Sequence, residues 1–141
     1  MKFKIRNCPN KTLKKKLSNA IMFYSKELMH SSLVRNLFVT LIIDRKMKDS
    51  YGECYISGMS DNLKPRRFVI KLNPTDVDPL YSLAHEMIHV KQYAKGELSP
   101  CHSKWKATSV NESKTEYVDL PWEKQAYRYD NKLYEQFKNN C

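Results

Sequence analysis

Apolar residues near the start of the chain recur every three to four positions, which is the period of an amphipathic helix. They lie in the segment KTLKKKLSNAIMFYSKELMH and are Leu13, Leu17, Ile21, Tyr24 and Leu28. Lysines occupy the opposite face, and Asn10 or Thr12 stands where an N-cap residue is expected. The pattern predicts a first helix with one face packed on a core.

Three later segments are rich in β-branched and aromatic residues and are bounded by polar stretches. They are NLFVTLIID at 36–44, YGECYISG at 51–58 and RRFVIKLN at 66–73. Because their connections are short, we expect them to form a three-stranded, mainly antiparallel sheet.

The period of the pattern changes again after position 78. Asp78 has the side chain of an N-cap, and Pro79 suits the first turn of a helix. Gly96 suits a helix end, so a helix is expected from about Pro79 to about Lys95.

The last part of the chain is expected to contain one more helix. Residues 97–119 have no strong periodicity and predict an irregular loop or a short hairpin built from KWKAT and TEYVD. The segment LPWEKQAYRYDNKLYEQF predicts a final helix that begins at Pro121. The order of N-terminal helix, three strands, helix, loop or hairpin, and C-terminal helix indicates the α+β class.

Length and charge add expectations about organisation and partners. The chain of 141 residues has the length of one domain, so residues 1–141 are expected to form a single domain. Lysine and arginine number 25 against 15 aspartate and glutamate, and this positive balance favours anionic partners. Weak nucleic-acid binding through the basic surface is one expectation, and an ordinary solvated face is the simpler alternative. The cations suggested for phosphate contacts are Lys11, Lys14, Lys15, Lys16, Arg66 and Arg67.

The distribution of apolar residues and cysteines predicts a cytoplasmic protein that binds no membrane. The opening MKFKIRNCPNKT has no uninterrupted apolar stretch, so no secretory signal is expected. No apolar run approaches the roughly 18 residues of a membrane span. The cysteines are widely separated without a C-x-x-C pair, which favours reduced thiols. They are Cys8, Cys54, Cys101 and Cys141.

The segment LAHEMIHVKQY, residues 83–93, contains two histidines four positions apart with a glutamate after the first. Residues i and i+4 share one face of a helix, so His85 and His89 can present both imidazoles to one metal ion. Glu86 lies about 100° further round the helix, within reach of a water held by that ion. The H-E-x-x-H pattern therefore predicts a zinc site with Glu86 as general base. An amphipathic helix that carries two histidines without a metal is the alternative.

A catalytic zinc needs a third protein ligand and an open fourth position. The downstream side chains of suitable type are Cys101, His102, Glu112, Glu116, Asp119, Glu123, Asp130 and Glu135. Glu123 is preferred because it lies in the first turn of the last predicted helix, and His102 is the runner-up. That helix carries a polar-aromatic stripe, namely Glu123, Tyr127, Asp130 and Tyr134, beside an apolar stripe, namely Trp122, Ala126, Tyr129 and Leu133.

Peptide hydrolysis also needs a hydrogen-bond donor for the oxyanion of its tetrahedral intermediate. Tyr127 is preferred because it lies one turn from Glu123 on the same stripe, and Tyr117 and His102 are weaker candidates. Packing against Glu123 is an equally good explanation of Tyr127.

The segment AHEMIHVKQY, followed by PWEKQAY with its glutamate 34 positions after His89, resembles the small gluzincin-type zinc metallopeptidase domains. These minigluzincins are similar in layout to SprT-like domains and are frequent in phage and bacterial proteins. The resemblance covers roughly residues 35–137. It implies that His85, His89 and Glu123 bind Zn²⁺ and that Glu86 is the general base. It also implies that an edge strand at 66–73 binds a peptide or protein substrate as an added β-strand.

The chain departs from these families in its ligands and their supporting residues. SprT-like domains use a third histidine, where this chain offers Glu123, and no zinc ribbon follows. Larger gluzincins have an aspartate four residues after the glutamate ligand, where this chain has Tyr127. Asp130 lies one turn further on, so the residue that orients a ligating histidine is left open.

Two functions from different classes follow from these observations. The first is zinc-dependent hydrolysis of peptide bonds. The second is a basic module that binds nucleic acid or protein and retains a zinc site without peptidase activity.

Overall fold

A four-stranded sheet with three long helices on one face forms the body of the protein, in a computed structural model that describes residues 1–140. The elements in chain order are β1 (Lys2–Arg6), α1 (Lys11–Leu28), α2 (Ser31–Val34), β2 (Phe38–Ile43), β3 (Gly52–Met59), β4 (Pro65–Leu72), α3 (Pro79–Ala94), β5 (Lys104–Trp105), β6 (Thr108–Ser109) and α4 (Pro121–Asn139). Two short 3-10 turns, Glu112–Lys114 and Tyr117–Asp119, precede α4. The predicted α+β class is confirmed.

The main sheet has the strand order β1-β2-β4-β3. The strand β2 runs parallel to both β1 and β4, and β3 runs antiparallel to β4. The prediction of three mainly antiparallel strands is therefore wrong, because the sheet has four strands and β2 pairs with β4 instead of β3. The sequence of β2 suits an interior position, since Val39, Leu41 and Ile43 are all buried. The two glycines of β3 suit an edge.

The strand that the sequence prediction missed is β1, at the N-terminus. Its sequence KFKIR alternates cations with Phe3 and Ile5, which is the period of a half-buried strand. Five residues carry little of this signal, and the pairing partner β2 begins 36 positions after Lys2. Pairing between segments so distant in sequence cannot be predicted from the local pattern of either one.

The predicted edge strand 66–73 is also corrected by the topology. Those residues form most of β4, which is hydrogen-bonded to β2 on one side and to β3 on the other. A strand with two partners has no free backbone groups for a third. The edges of the sheet are instead β1 and β3.

The core lies between the sheet and the three long helices. Leu17, Ile21 and Tyr24 of α1 are fully buried, as the first helical pattern predicts. The Tyr24 hydroxyl donates a hydrogen bond to the backbone C=O of Leu80, which ties α1 to the start of α3. Since α3 packs against α1, α4, β3 and β4, it is the central helix of the fold.

The predicted helix ends are confirmed by their capping contacts. Asn10 accepts a hydrogen bond from the Leu13 N–H at 2.7 Å, and Asp78 accepts one from the Leu80 N–H at 2.9 Å. Gly96 follows α3 with a φ of 77°, a conformation that favours glycine. The caps fix where α3 begins and ends, and so fix the faces on which its histidines lie.

The segment between α3 and α4 differs in detail from its prediction. A short hairpin forms, but its arms are Lys104–Trp105 and Thr108–Ser109, while the predicted arm TEYVD forms a 3-10 turn. On α4 the predicted core residue Tyr129 is 45% exposed, and Phe137 is buried in its place. The apolar stripe of α4 therefore runs through Trp122, Ala126, Leu133 and Phe137.

Two further observations concern membranes and thiols. None of the helices within residues 1–140 is long and apolar enough to cross a membrane. Cys8, Cys54 and Cys101 are not disulfide-bonded among residues 1–140. Cys141 lies outside the described residues.

Candidate metal centre

Two histidines of α3 and one glutamate of α4 converge at a single point. Oε1 of Glu123 lies 3.1 Å from Nε2 of His85 and 3.2 Å from Nε2 of His89. The ring centroids of His85 and His89 are 5.0 Å apart. The structure thus brings together the three side chains that the sequence suggested as metal ligands.

Glu123 reaches this point because of how α4 begins. Pro121 starts the helix, and Trp122 is buried against the core. The amide Nε2 of Gln92 on α3 donates a hydrogen bond to the backbone C=O of Trp122 at 2.9 Å, which fixes the first turn of α4 against α3. In that turn the positive end of the helix dipole favours the charge of the Glu123 carboxylate.

The other ring nitrogen of each histidine has its own partner. Nδ1 of His85 lies 2.9 Å from Oδ2 of Asp130, and Nδ1 of His89 lies 2.7 Å from Oε1 of Gln92. Both partners are oxygens that can only accept, so each Nδ1 carries a proton and donates. In the neutral imidazoles the two Nε2 atoms therefore present lone pairs toward Glu123.

When both rings are neutral, three electron-pair donors converge on one point, an arrangement that a positive charge stabilises, whether it is a metal ion or a proton on the rings. A divalent ion bound at about 2.0–2.1 Å in tetrahedral geometry has ligand atoms about 3.3 Å apart. The distances of 3.1 and 3.2 Å from Glu123 to His85 and His89 are within about 0.2 Å of that spacing. Two imidazoles and a carboxylate are also a usual donor set for such an ion. The residues present therefore fit a metal.

Glu86 lies beside this triad and differs from Glu123 in its contacts. Its carboxylate is within 4.8 Å of the ligand atoms of His85 and His89, so these three side chains form a group that could hold a metal ion. Its Oε2 atom is buried and has no hydrogen-bond partner among residues 1–140. A buried carboxylate oxygen without a partner is costly, and such a group is a candidate for function. Glu123 differs in that one of its oxygens contacts both rings, so it remains the predicted third ligand.

Charges within the cluster shift the pKa values of its members in opposite directions. Burial lowers the pKa of His85, but hydrogen bonds to Asp130 and Glu123 outweigh it and raise that pKa to about 9. Burial raises the pKa of Glu123, but hydrogen bonds from His85 and His89 outweigh it and lower that pKa to about 2. Burial raises the pKa of Glu86 against the opposing effect of both histidines. Without a metal, protons on the imidazoles take the place of the cation.

An open cleft of about 530 Å³ leads to this cluster from the side of β3. His85 and Glu86 lie at its base, and Tyr117 and Tyr127 form one wall. The ring centroid of Tyr127 is 4.7 Å from that of His85. Burial and the charge of Glu123 raise the pKa of the Tyr117 hydroxyl, so it stays a hydrogen-bond donor at neutral pH.

Gly52 of β3 forms the opposite wall of the cleft. A Cβ atom at this position would lie 3.1 Å from Cγ of Glu86, closer than ordinary van der Waals contact. Glycine therefore allows the Glu86 side chain to lie directly against the edge strand.

The remaining sequence candidates for metal ligation do not meet the histidine pair. His102 lies in a separate cluster, where Nε2 contacts the hydroxyl of Tyr93 and Nδ1 lies 2.7 Å from Oε2 of Glu112. The other unused candidates are exposed, namely Cys101, Glu116, Asp119 and Glu135. His102 is thus removed as the runner-up ligand and as an oxyanion donor.

Sequence reasoning missed the role of Gln92 and left that of Asp130 open. Gln92 is fully buried and joins His89 to α4, although its position three residues after His89 on the same helix face was a usable signal. Asp130 was weighed as a ligand, but its buried carboxylate orients His85 instead. Its distance of seven residues from Glu123 is two helical turns, which keeps both carboxylates on the side of α4 that faces α3.

No protein-family model, curated protein or solved structure matches the chain. The resemblance to gluzincin-type peptidases therefore stays a prediction, and the functional argument depends on the geometry of the site.

Removal of the Asp130 carboxylate tests its role in orienting His85. We expect Asp130→Ala to weaken Zn²⁺ binding roughly 10- to 100-fold, the usual effect of losing such a partner. Competition with a fluorescent zinc chelator measures this change. Glu135→Gln, which alters an exposed carboxylate on the same helix, is the matched control and should bind as the wild type does. Equal affinities for all three proteins would contradict the assigned role.

The stability of the metal-free protein should depend on pH. His85 has a pKa raised from 6.5 to about 9 by its carboxylate partners, so its protonation stabilises the fold below pH 6.5, and this contribution is lost as pH rises through 9. We expect the melting temperature of the metal-free protein to fall between pH 6.5 and 9. Excess Zn²⁺ should oppose this fall, because metal binds the deprotonated rings. A flat metal-free profile over that range would contradict the proton-filled cluster.

Proposed function

We propose that the protein is a zinc-dependent peptidase in which His85, His89 and Glu123 bind Zn²⁺ and Glu86 is the general base. The observation that carries the proposal is the convergence of two Nε2 atoms on one oxygen of Glu123, beside a buried oxygen of Glu86 that has no partner within residues 1–140.

Zinc is favoured over other cations by the donor set. Two imidazoles with one carboxylate is a known catalytic zinc set, whereas hard cations such as Mg²⁺ and Ca²⁺ prefer oxygen ligands alone. Structural zinc sites have four protein ligands and are closed. Here three side chains converge, and one of them, His85, lines an open cleft together with Glu86, which supports a catalytic role. Zinc, when bound, supplies a Lewis acid that polarises a carbonyl and makes water more acidic.

Different residues would transfer the proton and stabilise the negative charge during hydrolysis. Glu86 accepts the proton of the attacking water and delivers it to the leaving amine. Burial raises its pKa, which brings the carboxyl closer to the range where it can both accept and release that proton. The hydroxyls of Tyr117 and Tyr127 line the same cleft and are the donors available to the developing oxyanion.

Asp130 and Gln92 hold the two imidazoles rather than react. Each accepts a hydrogen bond from an Nδ1–H group, which keeps the Nε2 lone pairs of His85 and His89 directed at the ion. The ligand geometry is therefore set before substrate arrives.

We place the peptide substrate along β3, since β4 is an interior strand. The Asn73 N–H donates to the C=O of Tyr51, so the backbone of Tyr51 faces β4. Alternate residues of an antiparallel strand turn their backbone groups to opposite sides, so Gly52 and Cys54 turn theirs to the free edge. A substrate in extended form can pair with these groups as an added strand. Its backbone then passes the carboxylate of Glu86, which lies against Gly52.

A cytoplasmic location is part of the same proposal. The free thiols of Cys8, Cys54 and Cys101 support a reducing compartment.

Substitution of Glu86 by glutamine tests the role of Glu86 in peptide cleavage separately from metal binding. We expect Glu86→Gln to abolish cleavage of a mixed peptide library, read by mass spectrometry, and to leave zinc content at the wild-type level, because Glu123 holds the ion. Glu27→Gln changes an exposed carboxylate of α1 and should cleave as the wild type does. If the Glu86 variant cleaves at an undiminished rate, the mechanism is wrong.

Gly52→Ala tests the contact between the edge strand and the general base. The new Cβ would lie 3.1 Å from Cγ of Glu86, so the carboxylate must shift by a few tenths of an ångström. We expect a fall in kcat of roughly tenfold, because catalysis is sensitive to small misplacements, with zinc content unchanged. Steady-state kinetics with metal analysis measures both quantities. Full activity in this variant would show that Glu86 tolerates displacement.

A further inference from the structure

The face of the main sheet that points away from the helices carries an unpaired group of cations and two aromatic rings. We propose that this open sheet face binds single-stranded nucleic acid, with the rings stacking on bases and the cations contacting phosphates. The proposal concerns a second site and does not depend on peptidase activity.

Strand periodicity defines the open sheet face. Val39, Leu41 and Ile43 are buried beneath the helices, so the alternate residues of β2 point the other way. The registers of the other strands place their matching residues in rows across this face. Five cations lie on it, namely Lys2, Lys4, Arg6, Arg67 and Lys71.

These cations have little neutralising charge nearby. Glu53, paired in register with Lys71, is the one carboxylate that β1 to β4 place on the open sheet face. Within residues 1–140, none of the five cations takes part in an ion pair. Cationic side chains that form no ion pair with a carboxylate are available to phosphate groups.

The rings lie among the cations. Phe38 has the Lys4 Nζ atom 5.8 Å and the Arg67 Cζ atom 5.3 Å from its ring centroid. Tyr55 is 41% exposed and has the Lys71 Nζ atom 5.9 Å from its centroid. From strand spacing and register, the backbone positions of Phe38 and Tyr55 are about 12 Å apart across the sheet. Each ring that can receive a base thus has a cation for the adjoining phosphate.

This combination favours unpaired bases over other anionic partners. Ring faces on a sheet can stack on bases that are splayed out, whereas duplex bases are already stacked and present only their edges. An acidic peptide would use the cations but would have no specific need for Phe38 and Tyr55. The rings and the cations of the open sheet face together therefore favour single-stranded nucleic acid.

The cations suggested from sequence are divided between two ends of the molecule. Lys11, Lys15 and Lys16 line a groove beside the start of α3. Arg66 donates a hydrogen bond to the C=O of Ala94, at the opposite end of the same helix. Of the original set, Arg67 alone belongs to the open sheet face.

Binding of labelled oligonucleotides of about 15 nucleotides, followed by fluorescence anisotropy, tests the proposal. The probes are single-stranded DNA, single-stranded RNA and duplex DNA, all of mixed sequence, with polyglutamate as an unlabelled competitor. We expect either single strand to bind at least tenfold more tightly than the duplex. Added salt should weaken binding, with a slope of about −0.7 per phosphate contact. Comparison of DNA with RNA shows which strand is preferred.

Two pairs of variants test whether binding requires the open sheet face or only the net positive charge of the protein. The double variant Lys4→Glu with Arg67→Glu should weaken binding at least tenfold and reduce the salt slope by about 1.4. The control Lys14→Glu with Lys15→Glu makes the same charge change on α1 and should have less than a threefold effect. Tyr55→Ala should weaken binding about fivefold or more through lost stacking, and Tyr55→Phe should restore it. Melting temperatures close to wild type establish that each variant is folded.

Several results would overturn the proposal. One is equal affinity for duplex and single strands together with full binding by Tyr55→Ala, which would leave only non-specific attraction. Another is an equal loss in the α1 control. A third is displacement of the oligonucleotide by polyglutamate at matched charge, which would identify an acidic protein as the partner. Glu86→Gln should bind as the wild type does, so failure of the peptidase proposal would leave this result unchanged.

Discussion

The contact of the Glu123 carboxylate with both imidazoles is the interaction on which the site depends. It joins the first turn of α4 to the middle of α3, and it places ionisable groups in a region where an isolated charge would be strongly unfavourable. Burial of the histidines and Glu123 is tolerated because each of them has a partner, with Asp130 on His85 and Gln92 on His89. The same contacts that make burial of these groups acceptable also direct the free ring nitrogens to one point.

The histidines are positioned by α3, whose two flanks have different surroundings. One flank of the helix, with Leu83, Met87 and Ile88, completes the hydrophobic core above the sheet. The other flank turns His85 and Glu86 toward the cleft. Since the core flank is rigidly packed, the functional flank has little freedom to rotate. The edge strand β3 then closes the arrangement from the side, which requires a residue without a side chain at Gly52.

The features that could be predicted from sequence are those that depend on the spacing of nearby residues. The caps at Asn10 and Asp78, the face of α1 and the pairing of His85 with His89 all follow from residues within a few turns of one another. Glu123, predicted as the third ligand because a helix start is a well-ordered place for one, does contact both histidines although it is distant in sequence. The strand order was not predictable in this way, since the pairing of β1 with β2 and of β2 with β4 depends on which strands share the core. Tyr129 was assigned to the core because its spacing fits, but the true packing angle of α4 buries Phe137 and the carboxylate of Asp130 instead.

The free edge of β3 has a consequence for the behaviour of the protein at high concentration. An unpaired strand can pair with a strand from a partly unfolded copy of the chain, and natural proteins shield such edges for this reason. Two properties of β3 limit the danger, namely the register irregularity near Gly58 and the charge of Glu53. Glycine and charge make the strand a poor template for stacking, while leaving its hydrogen-bonding groups accessible. The strand thus keeps its edge groups exposed while its charge opposes aggregation. Replacing Glu53 by a hydrophobic residue would therefore favour self-association.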